Sequence, residues 1–200
     1  MKTTFWLIVI FIVTSLLTVL TLRWVNPPSS AVIALWELQN NRDAKHTWVS
    51  IEKISPNLQI AVIASEDQKF PTHFGFDIES LKKALAENKG RPRGASTITQ
   101  QVAKNLFLWH GRSYIRKGLE AWFTLTMECL WPKKRILEVY LNIAEFGEGV
   151  YGAEAAAKNF YNTSAININQ WQATLLAAVL PSPKKCLHKD LPLMFNHEQP

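Results

Sequence analysis

Leu58-Gln-Ile-Ala-Val-Ile-Ala-Ser-Glu66-Asp-Gln-Lys-Phe70 decides the fold class, because its apolar run from Leu58 to Ser65 reads as a buried strand or a buried helix. Its alanines and the absence of aromatics before Ser65 tilt it to helix. Working outward, Asp77 is an N-cap for a helix carrying Ile78, Leu81 and Leu85, which Asn88-Lys-Gly90 ends. Arg91-Pro-Arg-Gly-Ala95 reads as an exposed, mobile loop. From about Thr97 a helix resumes, with Ile98, Val102 and Leu106 as its buried stripe. Ser113 to Leu130 is again helical, Trp131-Pro132 breaks it, and Lys133 to Phe146 carries Ile136, Val139, Tyr140 and Ile143 on one face. Gly147 to Gly152 reads as a turn. Two more helices are expected, Ala153 to Tyr161 and Gln170 to Leu180, the second opened by Asn169 with Gln172 three residues on. The expected class is therefore mainly α, with no internal repeat and no low-complexity tract.

Upstream of this body the stretch from Phe5 to Leu22 carries no charge. At about 1.5 Å per residue it approaches the roughly 30 Å of a bilayer core once Trp24 and Val25 are counted. A cleaved signal peptide has a shorter apolar region and a small-x-small site, which Arg23-Trp-Val-Asn-Pro-Pro28 lacks, so the segment reads as a retained anchor. We expect the N-terminus inside and the body outside, since long translocated domains escape the positive-inside bias. The organisation expected is anchor and linker over 1–30, one domain over 31–183, and an atypical or truncated tail over 184–200 without helical period. The chain has 200 residues, room for one domain plus an anchor, and 48% of them are hydrophobic, enough for a core. Its net charge of +6 fits attraction to anionic headgroups or a phosphorylated substrate, and fits a generally basic surface as well. Cys129 and Cys186 make no disulfide framework, and Cys129 reads as a buried apolar residue. His46, His73, His110, His188 and His197 have no metal-ligand spacing.

Two carboxylates stand in unusual company: Glu66 interrupts an apolar stretch, and Glu120 closes the basic run Arg112-Ser-Tyr-Ile-Arg-Lys-Gly-Leu-Glu120. Arg116 and Lys117 precede Glu120 at helical neighbour spacing, which a surface salt bridge worth about 0 to 1 kcal/mol would also explain. Thr97, Gln101 and Lys104 share a second face of their helix, with hydroxyl, amide and ammonium groups suited to sugar hydroxyls and phosphate oxygens, or to plain solvation. Carboxylates among cations point to chemistry at a sugar carrying phosphate.

Taken together, these residues resemble the family 51 glycosyltransferases, which polymerise lipid II into peptidoglycan, and most of all their monofunctional members, the monofunctional biosynthetic peptidoglycan transglycosylases. Glu66-Asp-Gln-Lys-Phe70, Gly94-Ala-Ser-Thr-Ile-Thr-Gln-Gln101, Arg116-Lys-Gly-Leu-Glu120 and Arg135-Ile-Leu-Glu-Val-Tyr-Leu-Asn142 look like that family's first four motifs, in order. The resemblance implies a lysozyme-like, mainly helical glycosyltransferase domain with a small membrane-proximal lobe, held at the bacterial inner membrane with its body in the periplasm. It implies Glu66 as general base for the acceptor 4-hydroxyl and Glu120 as an organiser of the leaving-group side. By the same resemblance, Lys104, Arg112, Arg116 and Lys117 steady the departing undecaprenyl diphosphate, and Asp67, Ser96, Thr97 and Gln101 hold the substrate or the shape of the site. Tyr140 and Asn142 fall in the fourth motif, where packing under the site is expected. The partners implied are lipid II, the growing glycan strand, the membrane and other wall-synthesis proteins, with no nucleic acid. No cofactor is required, although magnesium or manganese at the diphosphate is an open alternative to the orienting role of Glu120. Phe107-Leu-Trp109 is expected either to dip into the membrane interface or to pack in the core. Ala95 departs from a glycine common in the family, and the tail departs from its usual further helix. A lytic enzyme cleaving glycan strands and a non-catalytic wall-synthesis scaffold are the competing readings.

Overall fold

Helix α1 takes up Lys2–Leu22, 21 residues long and apolar enough to cross a membrane by length and composition. The computed structural model describes residues 2–87, 96–109, 111 and 113–181. Ser30 caps α2 (Ala31–Asn40) by accepting from the Ile33 N–H, and Asn41 ends it in the left-handed conformation at φ 50°. The stretch quoted first is helical: α3 (Pro56–Glu66) starts with proline at its first turn, where a missing N–H costs nothing. Asp77 caps α4 (Ile78–Glu87), its carboxylate accepting from the Ser80 amide and hydroxyl. Thr97 and Gln100 form a reciprocal capping box on α5 (Ile98–Phe107). α6 (Tyr114–Leu130) and α7 (Lys133–Ile143) are split at Trp131-Pro132 as expected. α8 (Ala153–Tyr161) and α9 (Gln170–Val179) follow, the latter with Asn169 and Gln172 as its capping box.

Three expectations are corrected. The helix after Pro132 ends at Ile143 rather than Phe146, because Glu145–Gly147 leaves it as a strand. Gly147 to Gly152 is not only a turn: Val150–Tyr151 pairs antiparallel with Glu145–Gly147, and Lys45–His46 adds parallel on its other side. In chain order these strands are β1 (Lys45–His46), β2 (Glu145–Gly147) and β3 (Val150–Tyr151). Cys129 is exposed, because α6 buries the side carrying Phe123, Thr124 and Met127 and turns Leu125 and Cys129, one turn apart, outward. The expected loop 91–95, the helix stop at 88–90 and the tail 184–200 with Cys186 lie outside the described residues.

α5 is the central element. Its Ile98, Val102 and Leu106 are buried as expected, and it packs on α6 and α7, while α3 packs on α9. Each fully buried side chain of this size contributes about 1.5–3 kcal/mol. The anchor is joined to the body rather than hanging from it. Trp122 Nε1 donates to Ser15 Oγ at 3.1 Å, and Trp131 Nε1 donates to the Val19 carbonyl at 2.7 Å. Arg135, between the Trp48 and Trp131 rings, donates to the carbonyls of Leu22 and Val25 and to Asn26 Oδ1 at 2.8–3.1 Å. A guanidinium on the last carbonyls of a helix satisfies groups that the helix itself leaves unpaired.

Candidate active site

Glu66 is the last residue of α3, and what fixes it is the loop that follows. Asp67 is buried; its Oδ2 accepts from the Ile98 N–H at 2.9 Å, pinning the end of α3 to the start of α5. Both Asp67 oxygens also lie 2.9 Å from His73 Nε2. Thr97 Oγ1 donates to the Gly75 carbonyl at 2.6 Å, and Lys133 Nζ donates to the His73 carbonyl at 2.7 Å and to Glu128 at 2.8 Å. Gly75 itself has φ +77°, and a Cβ there would come within 2.7 Å of Thr124 Cγ2. Only glycine fits that close, left-handed position.

The Glu66 carboxylate is half-buried, and burial is the main cause of a pKa raised above the ordinary carboxylate value. Gln101 Nε2 donates to Glu66 Oε2 at 2.7 Å, and this bond together with the charge of Lys104 opposes the rise. Tyr140 donates in turn to Gln101 Oε1 at 3.2 Å. One turn along α5, burial lowers the Lys104 pKa, with Glu120 and Glu66 attracting its charge and Arg116 and Lys117 repelling it. Among the described residues the Lys104 ammonium has no hydrogen bond or ion pair. Arg116 and Lys117 do: Arg116 Nη1 lies 2.9 Å from one oxygen of Glu120 and Lys117 Nζ contacts the other. Glu120 is only 3% exposed and Arg116 is largely covered, whereas Lys117 reaches it from the exposed side, so a buried carboxylate is held between an inner and an outer cation.

A cavity of about 710 Å³ brings Glu66, Ser96, Gln101, Lys104 and Lys117 to one surface, with Phe76, Leu81 and Leu180 as apolar lining. A second cavity of about 290 Å³ adjoins it, sharing Glu66, Ser96 and Asp77 and adding Asp67, Lys69 and Thr97. Glu66 thus stands in the wall between two cavities, one bordered by free and paired cations. Glu120 and Arg116 lie behind Lys104 and Lys117 rather than in the lining. Thr97 belongs less to the helix face than to its cap: its hydroxyl is engaged by Gly75 and Gln100 and it is 3% exposed. Arg112 lies outside the described residues. Asn142 is buried away from the cavities, bonding both the N–H and the carbonyl of Val49. Phe107-Leu-Trp109 divides: Phe107 stacks on Phe123 at 4.3 Å, Leu108 is buried, and Trp109 is exposed. No group of three or more His, Cys, Asp or Glu is placed to hold a metal among the described residues. Sequence reasoning missed Lys69 and Asp77 in the lining of the second cavity, and His73, which carried no spacing signal and holds Asp67 from behind it.

The sequence model described as Transglycosylase matches residues 33–197. The chain belongs to the transglycosylase family. Among transglycosylase relatives, the biosynthetic peptidoglycan transglycosylase of Pseudomonas fluorescens strain Pf-5 is 56% identical over 181 residues, 87% of this chain and 75% of the relative. The protein of the same name from Xanthomonas campestris pv. campestris strain B100 is 50% identical over 184 residues, 88% of this chain and 75% of that one. That from Shewanella oneidensis strain MR-1 is 52% identical over 180 residues, 84% and 75% of the two chains. As a transglycosylase the chain is a glycosyl-transferring enzyme, and its mainly helical body fits the lysozyme-like fold of the family.

Proposed function

We propose that this transglycosylase polymerises lipid II into glycan strands and releases undecaprenyl diphosphate, with Glu66 as general base. The observation that carries the reading is the desolvated Glu66 carboxylate, held on one oxygen by Gln101 and facing a cavity whose wall presents Lys104 and Lys117. A carboxylate with a raised pKa accepts a proton from a sugar hydroxyl more readily than a solvated one. In the step proposed, Glu66 takes the proton of the acceptor 4-hydroxyl while that oxygen bonds to the anomeric carbon of the growing strand, with inversion. The bond from that carbon to the diphosphate breaks, and its electron pair leaves with the diphosphate oxygen. A diphosphate needs little protonation, so the leaving group calls for fixed positive charge, which Lys104, Lys117 and Arg116 supply.

Glu120 has both oxygens occupied by Arg116 and Lys117, which suits a carboxylate that orients cations. Ser96 and the second cavity with Asp67 form the acceptor side of the site in this reading. The α1 helix serves as a single-pass anchor in the inner membrane with the body in the periplasm, and other wall-synthesis proteins supply the cross-links.

The full chain in detergent or bilayer, given lipid II, tests the proposal. Glycan growth with release of undecaprenyl diphosphate, abolished in Glu66→Gln with the melting temperature retained, is the expected result. Shortening of preformed strands would assign the competing lytic activity, turnover by neither route a scaffold, and full polymerisation by Glu66→Gln would remove that residue from the chemistry.

A further inference from the structure

We propose that Tyr140 is a positioning residue for the reaction: its hydroxyl fixes the Gln101 side-chain amide so that the amide nitrogen, and not its oxygen, faces Glu66. The inference rests on the reading of Glu66 as the base. Three elements meet here, Glu66 ending α3, Gln101 on α5 and Tyr140 on α7, and the chain of bonds runs Tyr140 Oη to Gln101 Oε1 at 3.2 Å and Gln101 Nε2 to Glu66 Oε2 at 2.7 Å. A primary amide can present either end to a neighbour, and the network around it decides which.

An ionised carboxylate is acceptor-only, so it requires the amide nitrogen; a protonated one gains an O–H that can donate to the amide oxygen, so it can be served by either end. Tyr140 breaks this tie. Its side chain is 1% exposed and burial holds its pKa well above the ordinary phenol value, so it stays protonated and offers the amide oxygen a donor at any working pH. Turning the amide to suit a protonated Glu66 would set Nε2 against the phenol oxygen, which can accept from it, but would leave the buried Tyr140 O–H proton without its acceptor, and an unpaired buried donor is unfavourable. Tyr140 therefore favours the proton-free base without touching it, and lowers the pH at which Glu66 becomes competent.

The charged groups around Glu66 are Asp67, Lys69 and Asp77 on and beyond the loop, Lys104 on α5, and Arg116, Lys117 and Glu120 on α6. α9, packed on α3, carries no ionisable side chain. None of these groups changes on removing the Tyr140 hydroxyl, which isolates its effect.

The test is the pH dependence of kcat/KM for lipid II polymerisation by the full chain. In Tyr140→Phe the acid limb is expected to move up by about 0.5 to 1 unit, the equivalent of one ordinary hydrogen bond, with the plateau falling less than the rate below it. Gln101→Met should move the limb at least as far, and adding Tyr140→Phe to it should move the limb no further, since Tyr140 acts through Gln101. A uniform loss at every pH with the limb in place, or additive shifts in the double variant, overturns the proposal. If Tyr140→Phe does not fold, an unshifted limb in Gln101→Met overturns it equally. Loss of activity in Glu66→Gln alongside an unmoved Tyr140→Phe limb would sink only the positioning role, whereas an active Glu66→Gln would sink the reading beneath it.

Discussion

Replacing Lys104 by methionine should weaken the enzyme and strengthen the fold at once. Of the three cations beside the larger cavity, Lys104 has no carboxylate partner among the described residues, whereas Arg116 and Lys117 share Glu120. Those three cations and one carboxylate leave two net positive charges behind the leaving-group side, and deleting Lys104 halves that. Loss of one preformed partner for developing negative charge costs about 10²–10³ in kcat, or roughly 3–4 kcal/mol. Lys117→Met should lose less, because it also releases Glu120 onto Arg116. Stability moves the other way. The Lys104 pKa is lowered by burial, so the folded state binds this proton more weakly than the unfolded chain. That penalty is fully present below the folded-state pKa and fades as pH rises toward the unfolded value of about 10.4. Methionine keeps the aliphatic stem and removes the penalty, so the melting temperature at neutral pH should rise. Removing the ammonium also withdraws its attraction from Glu66, and the acid limb should shift upward. Polymerisation kinetics and a thermal melt on the same preparation decide the matter. A kcat/KM within about threefold of the parent, well short of the loss expected for a charge at the transition state, would refute the reasoning. So would a melting temperature lowered as for a core truncation.

Arg135→Met strips the anchor's end of its donors and leaves Glu138 without its guanidinium; a loss of about 3 kcal/mol is expected, seen as roughly 6–12 °C in Tm together with faster proteolysis near residues 23–30, and an unchanged melt would deny the joint its role. Gly75→Ala forces a Cβ toward Thr124 at positive φ and should cost about 1–3 kcal/mol, with activity falling further than stability because the same loop carries Asp67 and His73; parent-like Tm and rate would contradict the strain. Since both Glu120 oxygens are engaged, turnover should persist in a chelator, and a complete loss restored by magnesium or manganese would instead assign a divalent ion a required place at the diphosphate.

Helices could be read wherever a cap and a stripe coincided. Asp77, Thr97 and Asn169 each mark a start, because a side chain that completes the first turn is a local signal. What escaped is non-local. Lys45 pairs with Val150, more than 100 residues on, and two-residue strands carry no alternation to detect. Ala144 and Phe146 kept the apolar period of α7 running past its end, since burial under a hairpin looks the same as burial under a helix. α2 was hidden behind the linker, its short apolar run offering no charged face to contrast with. In the site, helical spacing put Gln101 and Lys104 on one face, which lines the larger cavity, while Thr97 lines the adjoining one and its hydroxyl also closes the first turn. His73 reaches Asp67 only because the chain doubles back between them, and no fixed period encodes that reversal.

The joint between α1 and the body has a practical consequence for anyone shortening the chain. Ser15 lies about two turns inside α1, so where α1 spans a bilayer as proposed, its partner Trp122 is set at the depth of the apolar layer. Cutting the chain after Leu22 to obtain a soluble fragment would strand two indole N–H groups, leave Arg135 short of acceptors and bare the flank of α6 that Val19 seals. A fragment made this way would stick to itself, and its melting behaviour would describe a wounded surface. Preparations that keep the first helix measure the enzyme as folded.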